Sequence, residues 1–199
     1  MALVLPLCTL ACEAEQPDEN ERVGEQDLDD TWIAEDRVGL AVLPLDTLVP
    51  VEMPGFANQV MYEARSFERE ALGAERAIFL DWSPLVSDPD TLYHALFVDL
   101  IRYGDENASR EFVLTDPPLR VGELRADTAS GLPVMVLRFE RRNEARFEII
   151  YREVDLVIQV KAEKGLSGRP PGIQRVEADA RGAFLRVVGR HLSGIPGAP

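Results

Sequence analysis

The segment 132–162, LPVMVLRFERRNEARFEIIYREVDLVIQVKA, decides the predicted fold because apolar and polar residues alternate along three consecutive stretches of it. A period of two residues is typical of β-strands, whose side chains point to opposite faces in turn. The first two stretches each present one apolar side, made of Met135, Leu137 and Phe139 in the first and of Phe147, Ile149 and Tyr151 in the second. The segment therefore predicts neighbouring antiparallel strands.

The register of the first hairpin follows from matching these two apolar sides. Phe139 then lies opposite Phe147, and a three-residue loop, 142–144, places Asn143 where a left-handed conformation is tolerated. The same register pairs opposite charges across the hairpin, Arg138 with Glu148 and Glu140 with Arg146. The arginine-rich sequence is thus interpreted as cross-strand ion pairs rather than as a basic binding patch.

The third stretch, VDLVIQVKA at 154–162, is apolar on both sides and is predicted to be a central strand. Strands are also predicted at 38–44 (VGLAVLP), 59–67 (QVMYEARSF) and 77–82 (AIFLDW). A helix is predicted at 87–104, where Leu92, Leu96 and Leu100 repeat at a spacing of four, and a second one at the chain's end, from Ile173 to Val187. The expected fold class is α+β, an antiparallel sheet with helices on both faces (an α/β/α sandwich).

The first thirty residues differ sharply from this body. An apolar run, MALVLPLCTLAC, contains both cysteines, and it is followed at 13–30 by nine acids and one base, which carry −8 of the formal net charge of −14. Such an acidic run is expected to be a disordered tether. We therefore expect a leader at 1–12, a tether at 13–31, one α/β domain at 32–190 and a flexible tail at 191–199.

The residues TLAC, ending at Cys12, resemble a bacterial lipoprotein signal. The resemblance implies that Cys12 becomes the first residue and carries the lipid, with membrane lipid as a partner; Thr9 stands where that family usually has Leu. No Lys or Arg precedes the apolar run, so we expect the true start to lie upstream of Met1. An uncleaved apolar tail and a signal removed without lipidation are the alternatives.

The order of predicted elements is similar to that of the PsbP/Mog1-like fold, which recurs in bacterial lipoproteins of the DcrB type. The strand VGLAVLP resembles that family's glycine-to-proline start, and EADARGAFLRVVG resembles its closing helix. The resemblance spans roughly residues 32–189 and implies the same sandwich. No functional residue is carried over by it.

Groups for catalysis are few. His94 stands four residues after Asp90 and is interpreted as a boundary histidine rather than a catalytic one, and His191 lies near the chain's end. No cysteine follows residue 12, so neither a zinc site nor any other cofactor is predicted. Arg169, in a Gly/Pro-rich loop before the last helix, is the one candidate for anion binding.

Three functions remain open at this stage. The first is a lipid-anchored, non-enzymatic cell-envelope domain that binds an unknown protein or small ligand. The second is an acidic cytosolic adaptor or chaperone, and the third is a hydrolase that uses carboxylates alone. The acidic balance excludes nucleic acid as a partner, because phosphates and carboxylates repel each other.

Overall fold

The computed structural model describes residues 38–86, 90–115, 123–169 and 171–192. These residues form a seven-stranded antiparallel sheet with the strand order β1-β2-β3-β7-β6-β5-β4. The strands are β1 Phe56–Glu63, β2 Ala74–Pro84, β3 Thr91–Tyr103, β4 Glu123–Ala129, β5 Leu132–Arg141, β6 Glu144–Glu153 and β7 Leu156–Leu166. The helices are α1 Leu45–Leu48, α2 Ser66–Leu72, α3 Glu106–Thr115 and α4 Ile173–Val188, and a 3₁₀ turn, Gly189–His191, follows α4.

The two faces of the sheet differ in what covers them. On the first, which we call the helix face, α4 packs against β6 and β7 and buries Val176, Ala180 and Phe184 completely. On the second, the opposite face, a small apolar cluster around Ile101, Tyr103 and Ile150 lies at one end, next to α3. The larger core therefore lies under α4.

The predicted α/β/α sandwich is wrong, and the main reason is one element. Residues 91–103, predicted as most of a helix, form β3 next to the centre of the sheet. A spacing of four residues is two strand periods and also close to one helical turn of 3.6 residues, so Leu92, Leu96 and Leu100 fit a strand as well as a helix. Six of the thirteen residues of β3 are β-branched or aromatic, which favours the strand. The result is an antiparallel sheet with one long helix and few short ones.

The predicted register of the β5–β6 hairpin is wrong by one residue. The turn has two residues, Arg142 and Asn143, and Phe139 pairs with Arg146 instead of Phe147. β5 is apolar on both sides, because Val134, Met135, Val136 and Leu137 are all buried. Its hydrophobic pattern therefore could not fix the register, and the shorter turn fixes it. The expected charge pairs Arg138–Glu148 and Glu140–Arg146 are not opposite one another.

Other predictions hold. β2 buries Ile78, Leu80 and Trp82 on the helix face as expected, β7 is a central strand, and α4 buries the predicted stripe from Ile173 to Val187. The strand predicted at 38–44 does not form; this segment turns at Gly39, whose φ of 83° favours glycine, and leads into α1.

Candidate functional site

Polar groups lie in the middle of the opposite face, where an apolar surface would be expected in a sheet core. Asp81 on β2 pairs with Phe97 on β3, Phe97 with Lys161 on β7, and Lys161 with Glu148 on β6. One row further along, Asp99 on β3 pairs with Gln159 on β7. We call these six residues the polar patch: Asp81, Phe97, Asp99, Glu148, Gln159 and Lys161.

Asp99 is the most perturbed group of the polar patch. Burial raises its pKa from an ordinary value of 3.8 to about 7, and the negative charges of Glu148 and Asp81 add to the effect while Lys161 opposes it. Among the described residues no hydrogen bond or ion pair to its carboxyl is found, and the side chain is partly exposed to solvent. Near neutral pH this carboxyl is thus divided between its charged and its protonated form, so it can accept or donate a proton.

The other charged and polar groups of the polar patch contact one another or their immediate neighbours. Glu148 is buried, 3% exposed, and accepts a hydrogen bond from the side-chain amide of Gln159. The Lys161 ammonium lies 4.3 Å from the ring centre of Phe97 and 3.7 Å from a carboxylate oxygen of Glu163. Burial also raises the pKa of Asp81, and Lys161 opposes that rise as well. Lys161 is thus one ammonium beside four carboxyls, those of Asp81, Asp99, Glu148 and Glu163.

A second row of charges borders the polar patch. Arg146 on β6 lies 3.5 Å from a carboxylate oxygen of Glu163 on β7, and its guanidinium stands 5.8 Å from the ring centre of Phe139. Arg146 and Glu163 are directly paired across the two strands and largely cancel each other's charge. The excess of negative charge therefore lies at Asp81, Asp99 and Glu148.

The helix face also contains a buried carboxyl, Glu153, but its surroundings differ. Its carboxylate accepts hydrogen bonds from the backbone N–H groups of Gly39 and Leu40, at 2.8 and 3.0 Å, and from the hydroxyl of Tyr151, at 2.9 Å. Burial, with the negative charge of Glu153 beside it, raises the pKa of Tyr151, so the hydroxyl stays protonated and donates. Glu153 ties the segment before α1 to the sheet.

His94 lies at the contact between β3 and α4. Its Nε2 atom is 3.1 Å from Oδ2 of Asp179 on α4, and its ring meets that of Phe56 edge-on with 5.2 Å between ring centres. Arg175 approaches the same carboxylate within 3.5 Å. The spacing of four between Asp90 and His94 would bring them together only in a helix, and residues 91–103 form β3 instead. His191 lies 3.2 Å from the carbonyl oxygen of Thr47.

Arg169, predicted to bind an anion, lies in the loop after β7. Its guanidinium is 3.7 Å from a carboxylate oxygen of Asp90, and both side chains are more than half exposed. At the nearby start of α4, the N–H of Ile173 lies 3.4 Å from a carboxylate oxygen of Glu140. The chain's own acids thus occupy both positions, and binding of an external anion stays a prediction. Cys12 lies outside the described residues.

A shallow recess of about 440 Å³ lies between residues 51–57 and the side chains of Trp82 and Leu85. It offers mainly apolar contact, and Glu52 is the one titratable residue in its lining. In the part of the chain that the structure describes, no group of three potential ligands among His, Cys, Asp and Glu is arranged around a metal position. Nor does any described helix combine the length and the apolar character needed to cross a bilayer.

Sequence reasoning missed the polar patch because of the error at β3. In a helix, Asp99 would lie at the edge of the leucine stripe, seven residues from Leu92, where an acid at the boundary with solvent is ordinary. In a strand, the run ALFVDLIRY places Asp99 between Phe97 and Ile101 on one face. An acid at the centre of an otherwise apolar strand was the available signal.

Comparisons with known proteins add little. No protein-family model matches the chain, and no curated protein matches its sequence. Among solved structures, the chain is similar to the extracellular domain of PknH from Mycobacterium tuberculosis, with 10% sequence identity, a TM-score of 0.36, and coverage of 69% of this chain and 84% of that one. A likeness at this level carries no argument about function.

Proposed function

We propose that this chain is a non-enzymatic binding domain of the cell envelope, tethered to membrane lipid through Cys12, and that the polar patch binds a small ligand bearing a positively charged amine. The observation that carries the proposal is the position of Asp99, a partly buried carboxyl near the centre of the sheet to which no described residue donates a hydrogen bond. A carboxyl that the sheet partly withdraws from water is less well solvated, and a cationic partner would compensate for that loss.

The chemistry of the polar patch supports a cationic ligand. Asp81, Asp99 and Glu148 supply negative charge against one ammonium, that of Lys161. An amine placed beside Asp99 would favour its charged form, because an opposite charge nearby lowers the pKa of a carboxyl. The ring of Phe97 offers a flat apolar contact for the carbon part of such a ligand.

Calorimetric titration with spermidine at pH 7.5 tests the binding site. We expect saturable binding to the unchanged protein and a loss of at least tenfold in affinity in Asp99→Asn. Glu75→Gln is the matched control. Glu75 is exposed, and its substitution removes one negative charge elsewhere on the surface. Equal affinity in all three proteins would mean that spermidine binds only through the net negative charge, and the site would be refuted.

Lipid attachment is tested separately by the intact mass of the protein from a bacterial host. The proposal predicts a chain that begins at Cys12 with added diacylglycerol and fatty-acid mass. Cys12→Ser should abolish this processing, whereas Cys8→Ser should leave it unchanged. An unprocessed chain with a free thiol at Cys12 would instead support the cytosolic adaptor, and it would leave the amine site to be judged on its own titration.

Acid–base catalysis by carboxylates is the second candidate, and the pKa of Asp99 favours it. A carboxyl with a pKa near 7 is suited to donate a proton at neutral pH, and Asp81 lies diagonally across one strand pair, with Cα atoms about 8 Å apart from standard sheet spacings. Hydrolysis of nitrophenyl glycosides by the unchanged protein, lost in Asp99→Asn but not in Glu75→Gln, would favour this function over pure binding.

A further inference from the structure

The two edges of the sheet are built differently. At one edge, β4 carries charges: Arg125 is exposed, and Asp127 is bound by the guanidinium of Arg181 from α4 at 2.7 Å. Charged side chains on an edge strand discourage pairing with another strand. At the other edge, the seven residues from Phe56 to Tyr62 (FANQVMY) contain no charge, in a chain whose net charge is −14.

The uncharged edge is also apolar and exposed on both sides. Val60 and Tyr62, on the opposite face, are 56% and 47% exposed, and Met61, on the helix face, is 58% exposed. β1 pairs with β2 on one side only, so the backbone groups along its outer side have no strand beside them among the described residues. What fits such an edge is an extended, uncharged strand.

β1 itself has the properties of that partner strand. We propose that β1 pairs antiparallel with β1 of a second copy of this chain, with the two-fold axis at Met61. Tyr62 then lies opposite Val60 of the second copy on the opposite face, and the two Met61 side chains meet on the helix face. Each side chain keeps the face it already has, so the two sheets join into one of fourteen strands.

The charges next to β1 permit this approach. Glu63, at the end of the strand, is paired with Arg76 at 2.9 Å, and Arg76 also binds Asp46 at 3.0 Å. Because β1 is irregular between Ala57 and Val60, the proposed pairing is confined to Val60, Met61 and Tyr62, none of which is charged.

Sedimentation velocity of the full chain between about 5 and 500 μM tests the proposal. We expect a shift from the 22.2 kDa monomer toward twice that mass with rising concentration. Met61→Lys should weaken the dimer at least tenfold, because two ammonium groups would meet at the axis. The control is Val51→Lys, which adds the same charge at an 82% exposed position outside the sheet and should leave the dimer unchanged.

A cross-linking variant keeps the test decisive if Met61→Lys unfolds. Met61→Cys, in a chain with Cys8 and Cys12 replaced by Ser, should form a disulfide-linked dimer under mild oxidation, since directly opposed residues of antiparallel strands have Cα atoms about 4.5–5.5 Å apart. A wild-type chain that is monomeric up to 500 μM, a dimer that survives in Met61→Lys, or a cysteine variant that stays uncrosslinked would each overturn the proposal. So would a dimer that Val51→Lys disrupts equally.

Discussion

Two carboxyls on opposite faces of the sheet differ in their surroundings: Glu153 is buried, whereas Asp99 is only partly buried. On the helix face, Glu153 accepts hydrogen bonds from two backbone N–H groups and the hydroxyl of Tyr151. On the opposite face, Asp99 has no such donor among the described residues, and its pKa rises to about 7. The fold thus satisfies Glu153, and the absence of a donor at Asp99 among the described residues is the premise of the proposed amine site.

The largest expected effect concerns the apolar packing of the helix face. Phe184→Ala should lower the free energy of unfolding by about 3–5 kcal/mol, because the ring is completely buried between α4 and the sheet. Leu185→Ala, one residue along the same helix and 44% exposed, should cost less than about 1 kcal/mol. Urea denaturation measures both. Equal losses in the two variants would show that α4 does not pack as described.

Removing the charge of Glu153 should have the next largest effect. Glu153→Gln keeps the shape but turns one oxygen into an amide that cannot accept from Gly39, Leu40 and Tyr151 together. We expect a loss of about 2 kcal/mol in the free energy of unfolding. We also expect faster amide exchange at residues 39 and 40. A neutral result in both measurements would contradict the anchoring role of Glu153.

Asp99→Asn should act in the opposite direction, with a pH dependence. The pKa of this carboxyl is about 7 in the folded state and about 3.8 in the unfolded state. Between pH 3.8 and pH 7 the folded state therefore binds more protons than the unfolded state. The stability contributed by the protonated carboxyl is present below pH 4 and is lost as the pH rises to about 7. Asp99→Asn should therefore be similar to the unchanged protein at pH 4 and more stable at pH 8. We expect a gain of about 2 kcal/mol, less than the roughly 4 kcal/mol of the full pKa shift, because the side chain is partly exposed to solvent.

Denaturation curves at pH 4, 6 and 8 check this prediction. Glu75→Gln serves as the control for the change in net charge, and its difference from the unchanged protein should vary little with pH. A stability difference for Asp99→Asn that does not depend on pH would contradict the assigned burial.

The smallest effect on the free energy of unfolding is expected for an ion pair that belongs to neither face of the sheet. Arg169 and Asp90 form an exposed ion pair at 3.7 Å, and Arg169→Ala should change the free energy of unfolding by less than about 0.5 kcal/mol. The same variant measured with and without 10 mM phosphate tests the anion-binding prediction for Arg169. Phosphate should stabilise the unchanged protein more than the variant if Arg169 binds anions, and equally if it does not.

The sequence predicted an element correctly where its hydrophobic pattern fitted only one period, that of a strand or that of a helix. β2, β7 and α4 were predicted with their buried sides, because their apolar residues repeat at a spacing that belongs to one kind of element. β3 was predicted as a helix because the spacing of its leucines fits both the strand period and the helical period. The register of β5 and β6 was predicted wrongly because β5 is apolar on both sides. Only the length of the turn fixes that register.

The polar patch required the tertiary structure. Asp81 and Asp99 lie on the consecutive strands β2 and β3, but Glu148 comes from β6 and lies near them only because β3 and β7 join the two halves of the sheet. Local patterns contain no information on that pairing. The turn between β6 and β7 shows the same limit, since Val154 takes a φ of 54° that its side chain disfavours, and its carbonyl accepts a hydrogen bond from Ser109 of α3.

The most direct test of the difference between Glu153 and Asp99 is the pKa of the Asp99 carboxyl. It can be measured by carbon-detected nuclear magnetic resonance of the side-chain carbonyl between pH 3 and 9. A midpoint near 7 is predicted, moving down when spermidine is added. A midpoint near the ordinary value of 3.8 would show that Asp99 is solvated or already paired, and it would contradict the assignment of the polar patch as a binding site.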